Sequence, residues 1–520
     1  MKHYILVLFV FITAFSFSCS KASLDVVRVE GGQVEGVVEE GIRVFRGIPF
    51  AAPPVGDLRW KAPQPVLPWD GILQADKFAA ACPQMGFPVP NAPKLETSED
   101  CLYLNVWTPA QKAGEKLPVM VWIYGGGFAM GATSSPIYSG EQLAKMGVIV
   151  VSVAYRVGPL GFLAHPELSA ESANHVSGNY GLLDQIAGLR WVQNNIAAFG
   201  GDPAKVTIFG ESAGAISVSI LCASPLCKGL FSGAISESGG SFGPVREERG
   251  SDGIQPLAAA ERTGMGFAER MGAQSIAELR KVSPDEWQQD PGAQMGGFWP
   301  NVDGYVIADD QYKLYEQGRF NDINVVIGTN SDEGSMFSRP AASVEEYQQG
   351  VRERFGLFAD RILEAYPAGT IEETYYSASD IFRETAFAWP SYAWAQLQSA
   401  KGKSNVYVYY FDQPQPASPF MQAKPRGSAH ASEMAYVFRH LSPAQSNPGD
   451  AGLSEIMAKY WTNFAKTGNP NGENLPSWET YSQNNPFVLL LRDTPQKIDL
   501  PNRDKLLLME EYFKYLREKH

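Results

Sequence analysis

The chain alternates between short, continuous apolar runs and longer stretches whose apolar residues recur every three or four positions. Leu117–Gly126 (LPVMVWIYGG), Gly147–Arg156 (GVIVVSVAYR), KVTIFG from Lys205 to Gly210, Ile323–Asn330 (INVVIGTN) and Asn405–Phe411 (NVYVYYF) have strand length. Strands that are apolar on both faces belong to a sheet covered by helices on both sides. Between them, Gly181–Gly200 (GLLDQIAGLRWVQNNIAAFG) spaces Leu182, Leu183, Ile186, Leu189, Trp191 and Val192 as a helix does. This alternation predicts an α/β fold with a large, mostly parallel central sheet, helices on both faces and helical insertions. Ligands of such sheets bind beyond the carboxyl ends of the strands. Chemistry is therefore expected just past each apolar run.

One such place holds GESAG, with Ser212 between Gly210 and Gly214. A G-x-S-x-G match is weak alone, because a small residue in a tight turn also satisfies it; it needs a base, an acid and an oxyanion pocket elsewhere. The chain has six histidines, of which His3 and His520 lie at the termini. In the order Ser, acid, His that this motif follows, His165 and His175 come too early. His440 ends the helical stretch SEMAYVFRH, where a histidine more often serves as a favourable C-terminal charge. His430 lies in a loop past NVYVYYF, ahead of Ser432 as an expected helix N-cap, and is the preferred base. Asp332 and Glu333 follow INVVIGTN directly; both could simply cap a helix, and spacing does not choose between them. WIYGGGFAMG puts Gly125, Gly126 and Gly127 past another strand, where backbone N–H groups can face a carbonyl oxygen unshielded by side chains. The N–H of Ala213, opening the helix after Ser212, completes that set.

These residues resemble the type-B carboxylesterase/lipase family, which includes bacterial p-nitrobenzyl esterases and cholinesterases. The likeness runs from VFRGIPFAAPPVGDLRWKAPQPVLPWDG through SEDCLYLNVWTP and GNYGLLDQIAGLRWVQNNIAAFGGDPAKVTIFGESAGA to WTNFAKTGNPNG. It implies an α/β-hydrolase fold, with Ser212 as nucleophile, Glu333 as acid and His430 as base. Gly126, Gly127 and Ala213 would form the oxyanion hole, and Glu211, beside the nucleophile, would be a polar supporting residue. Arg59 with Glu99, and Arg156 with Asp184, resemble the family's structural ion pairs. No cofactor or metal is implied. The loop CPQMGFPVPNAPKLETSEDC lacks the tryptophan on which cholinesterases stack quaternary ammonium, so capture of choline by that route is lost.

Charge and cysteines narrow the setting. A net charge of −13 argues against nucleic acid and anionic membrane as partners. The 44% hydrophobic content supports a large core, and no linker or repeat divides the chain. One elaborated domain is expected over residues 23–520, after a signal peptide over 1–22 whose apolar stretch is too short to span a bilayer. SFSC makes a loose lipobox with Cys19 as the lipidated residue, and ordinary cleavage near Ser20 or Ala22 stays open. The expected location is exported: periplasmic, outer-membrane lipoprotein or secreted, in a bacterium. No transmembrane segment is expected, and the oligomeric state is not legible. The other four cysteines, in an oxidising compartment, suggest the pairs Cys82–Cys101 and Cys222–Cys227. The first matches the family's loop disulfide; the second is not part of that pattern, and its alternative reading is two buried thiols.

The expected function is serine carboxylesterase action on a small-molecule ester, neutral aryl or medium-chain acyl. A non-catalytic binding protein of the same fold and an amidase or peptidase are the alternatives, because fold does not fix substrate. Gly296–Gly304 (GGFWPNVDG) and Asp380–Gln396 (DIFRETAFAWPSYAWAQ) are aromatic-rich and read either as pocket walls or as core.

Overall fold

The computed structural model describes residues 26–84, 95–248, 253–293, 296–414, 425–443 and 447–519. The signal peptide expected over 1–22, Cys19 included, lies outside the described residues. Each apolar run is a strand: Leu117–Ile123, Ile149–Val153, Gly201–Glu211, Asn324–Asn330 and Val406–Phe411. They join an 11-stranded sheet. Its middle is parallel from Ile149–Val153 across Leu117–Ile123, Gly201–Glu211, Gly233–Glu237, Asn324–Asn330 and Val406–Phe411 to Phe487–Leu491. Antiparallel pairs close both edges, Gln496–Asp499 at one side and Tyr103–Thr108, Ile42–Pro49 and Val37–Glu39 at the other. The central strands are buried on both faces, as their continuous apolar sequence requires. Helices cover both sides, and the buried apolar side chains form one connected core.

The helix read over Gly181–Gly200 spans Tyr180–Asn195, continues as a tight turn over Ile196–Phe199, and stops at Gly200, which adopts φ 92. That left-handed conformation favours glycine. Buried residues lie nearly all round this helix, because it is sandwiched between sheet and outer layer. Both expected ion pairs form. Arg156 clasps Asp184 through two 2.8 Å hydrogen bonds, with both side chains essentially inaccessible. Arg59 makes a bidentate pair with Glu99 at 2.6 and 2.5 Å.

Cys82, Cys101, Cys222 and Cys227 are all buried thiols in this structure, which for Cys222 and Cys227 is one of the two readings the sequence left open. The Cys101 thiol is hydrogen-bonded to Cys82, and this contact and burial raise its pKa well above the ordinary value. Cys222 still belongs to the helix Ala213–Ala223, while Cys227 ends the separate turn Pro225–Cys227. Each therefore packs as a small apolar side chain, and burial pushes the Cys227 thiol up to about 12. Among the described residues no helix is long and apolar enough to cross a membrane.

Candidate active site

The strand Gly201–Glu211 passes into the helix Ala213–Ala223 through one residue, Ser212, at φ 56 and ψ −123. A non-glycine residue in that region is strained and must be held by its surroundings. Here the Ser212 N–H donates to the Glu237 carbonyl at 2.9 Å, and the Ser212 carbonyl accepts from the Ile216 N–H at 2.9 Å. The flanking glycines permit close approach. A Cβ on Gly214 would sit 2.0 Å from the Ile123 carbonyl oxygen, and one on Gly125 would sit 2.9 Å from the Ser212 Cβ. The elbow thus needs glycine on both sides of the serine and opposite it.

Glu333 opens the turn Glu333–Met336, just past the strand Asn324–Asn330. His430 lies in the loop after the neighbouring strand Val406–Phe411, and an isolated bridge from Asp332 to Ala429 draws the two loops together. His430 Nδ1 and Glu333 Oε2 are 2.6 Å apart, and Glu333 Oε1 accepts from the Asn330 N–H at 2.6 Å. The Asp332 carboxylate instead accepts from the Arg426 N–H at 3.0 Å. Of the two adjacent acids, only Glu333 touches the imidazole. The other ring nitrogen, Nε2, stands 3.1 Å from Glu211 Oε1. Among the described residues no hydrogen bond joins the Ser212 hydroxyl to His430; such bonds are often loose before substrate binds.

His440 hydrogen-bonds the Ser139 carbonyl at 3.1 Å, away from this cluster. Ser432 is not an N-cap: its hydroxyl turns back to the Ala429 carbonyl at 2.6 Å, and the helix spans only Met434–Val437.

Three further carboxyls lie around the His430–Glu333 pair, all buried. Burial pushes Glu211 up to about 7, with His430 opposing the rise. It pushes Glu237 up to about 8 against a 2.8 Å hydrogen bond from the Trp461 indole. Glu433 is raised well above the carboxylate range by burial and by the neighbouring acids. Burial works against the charged form of His430, but the Glu211 and Glu333 charges outweigh it and raise its pKa. Sequence reasoning missed Glu237, Glu433 and Asn330. A signal existed for the first: an acid ending the short strand Gly233–Glu237, which starts Gly-Ala-Ile.

Past the strand Leu117–Ile123, Gly126 and Gly127 adopt φ 107 and 61. Among the described residues their N–H groups make no backbone hydrogen bond. Ala213 N–H lies in the first turn of its helix, where backbone donors have no intrahelical partner. Of the aromatic-rich stretches, part packs against the candidate site and part is core. Phe387, in a π-helical turn over Glu384–Ala388, stacks on the His430 ring at 4.5 Å, and Phe337 meets it edge-on at 5.1 Å. Trp299 packs on Phe128 of the glycine loop at 4.7 Å, whereas Trp389 and Trp394 are wholly buried. No group of three or more metal-ligating side chains is placed to hold an ion among the described residues.

Residues 23–507 match the model of the Carboxylesterase family. The chain is 38% identical to the fumonisin B1 esterase of Sphingopyxis macrogoltabida over 471 residues, covering 87% of this chain and 84% of that protein. It is 36% identical to the para-nitrobenzyl esterase of Bacillus subtilis over 486 residues, covering 90% and 94%. A solved PNB esterase structure superposes with a TM-score of 0.79 at 33% identity, covering 94% of this chain and 100% of that one.

Proposed function

The chain belongs to the carboxylesterase family and is a carboxylic ester hydrolase of the α/β-hydrolase fold, and on that premise we propose that it works through Ser212, His430 and Glu333. The observation that carries the proposal is the 2.6 Å contact between His430 Nδ1 and Glu333 Oε2, beside a strained serine elbow. Ser212 Oγ attacks the ester carbonyl carbon while His430 Nε2 takes its proton. Glu333 holds the imidazole in the tautomer with Nδ1 protonated and stabilises the imidazolium. The N–H groups of Gly126, Gly127 and Ala213 bind the oxyanion. Collapse expels the alcohol, which leaves with the proton from His430. Water then adds to the acyl-enzyme by the reverse sequence and frees the acid.

The substrate we propose is a neutral aryl or medium-chain acyl ester. Phe387 and Phe337 against His430 support this, since an apolar group needs only apolar wall there. The single connected core supports one elaborated domain over 23–520, and the apolar N-terminus after Lys2 supports export. One panel tests the reading: p-nitrophenyl butyrate, an alkyl butyrate, butyrylcholine, a p-nitrobenzyl ester and fumonisin B1, each with wild type and Ser212→Ala. The expected result is a folded variant with activity lower by about 10⁴–10⁶-fold, and a kcat/KM for the alkyl ester well above that for butyrylcholine. Near-wild-type hydrolysis by Ser212→Ala would remove the nucleophile; parity with butyrylcholine would remove the neutral-substrate reading.

A further inference from the structure

Two of the three proposed oxyanion donors, the N–H groups of Gly126 and Gly127, sit on a glycine-rich segment that must be held still by its contacts. Gly125, Gly126, Gly127 and Gly131 carry no side chains, and glycine loses more backbone freedom on ordering than any other residue. The segment is anchored at its near end by the strand Leu117–Ile123. Inside, the Gly126 carbonyl accepts from the N–H groups of Ala129 and Met130 at 3.1 and 3.2 Å. In the middle, the Phe128 carbonyl accepts from the Gly158 N–H at 2.6 Å, and the buried Phe128 ring packs edge-on against Phe162 and Trp299.

The far end is held by a side chain from another part of the chain. Gln84 is buried, and its amide pairs with the backbone of Gly131 as a β-strand would. Its Oε1 accepts from the Gly131 N–H at 2.7 Å, and its Nε2 donates to the Gly131 carbonyl at 2.8 Å. The second Nε2 hydrogen reaches the Cys82 carbonyl at 3.0 Å, which fixes the amide to its own loop. Only this orientation of the amide satisfies all three contacts.

We propose that Gln84 is a positioning residue for ester hydrolysis, clamping the glycine loop so that the Gly126 and Gly127 N–H groups hold the place where the oxyanion forms. The inference rests on the nucleophile and oxyanion assignments above. Gln84 acts through the loop and makes its contribution in the transition state, because the donors must meet the oxyanion and not the ground-state carbonyl.

Gln84→Met keeps the volume and removes all three hydrogen bonds; Gln84→Glu keeps an acceptor for the Gly131 N–H and loses the donor. The expected result with p-nitrophenyl butyrate is a fall in kcat of about 10–100-fold in Gln84→Met with KM within about threefold, by analogy with the cost of misplacing or losing one oxyanion donor. Gln84→Glu should fall between it and wild type. Affinity for an alkyl trifluoromethyl ketone, whose hemiketal oxyanion occupies the same place, should weaken by the same factor as kcat/KM. Unchanged kcat and ketone affinity in both variants would overturn the inference, as would a KM rise with kcat intact. If Gln84→Met does not fold, Gln84→Glu alone decides by the same two readouts. Full kcat in both variants of an enzyme that Ser212→Ala silences sinks only the clamp. Activity that survives Ser212→Ala sinks the nucleophile on which it rests.

Discussion

Two adjacent carboxylates, Asp332 and Glu333, end in different places because the backbone turns between them. One accepts from the Arg426 N–H and the other from His430. Glu333→Gln should therefore cut kcat by roughly 10⁴-fold, the scale reported for losing the acid of a triad, whereas Asp332→Asn should cost far less. Steady-state kinetics of the two variants check this, and the reverse order would reassign the acid. The buried Glu211 makes a second, electrostatic prediction. His430 must be neutral to accept the serine proton, and its pKa is raised by Glu211 and Glu333 against the effect of burial. Activity is lost as pH falls through that raised value, so the acid limb of kcat/KM should be centred above about pH 6.5, the ordinary histidine value. In Glu211→Gln one of the raising charges is gone, and the limb should move to lower pH. A wild-type limb below 6.5, or one that stays put in Glu211→Gln, contradicts this account.

At the scale of elements, the proposed active site is a set of strand ends. Strands Leu117–Ile123, Gly201–Glu211, Asn324–Asn330 and Val406–Phe411 deliver the glycine loop, Ser212, Glu333 and His430 in turn. That much was legible because continuous apolar runs announce buried parallel strands, and chemistry follows their carboxyl ends. The choice of Glu333 over Asp332 was not legible from spacing; it depends on a turn geometry that two neighbouring acids share in sequence. The stretch SEMAYVFRH reads as a longer helix than the four residues Met434–Val437 that form, because Ser432 spends its hydroxyl on Ala429. The glycine loop gives the prediction at this scale. Gly126 adopts φ 107, and a Cβ there would lie 2.3 Å from the Met130 carbonyl oxygen. Gly126→Ala must shift the loop, and kcat for p-nitrophenyl butyrate should fall by about 10²-fold or more while the fold, followed by circular dichroism, persists. Wild-type kcat in that variant would place the oxyanion elsewhere.

Over the whole molecule, an acidic chain encloses a strongly acidic interior: Glu211, Glu237, Glu333 and Glu433 are all buried around one histidine. Apolar periodicity cannot show this, because the four lie far apart in sequence and meet only when parallel register aligns Glu211 with Glu237 and the loops past Asn330 and Phe411 fold together. Sequence order sets Cys82 with Cys101, and the fold does bring these two side chains into hydrogen-bond contact. The central claim is that hydrolysis runs through a single nucleophile, Ser212. Covalent trapping tests it most directly: wild-type protein is incubated with an alkyl fluorophosphonate, digested, and mapped by mass spectrometry, with Ser212→Ala in parallel. The account predicts one phosphonyl group per chain on the peptide that carries Ser212, loss of esterase activity in step with labelling, and no label on the variant. A label on any other residue that abolishes activity, or full activity with Ser212 labelled, would contradict it.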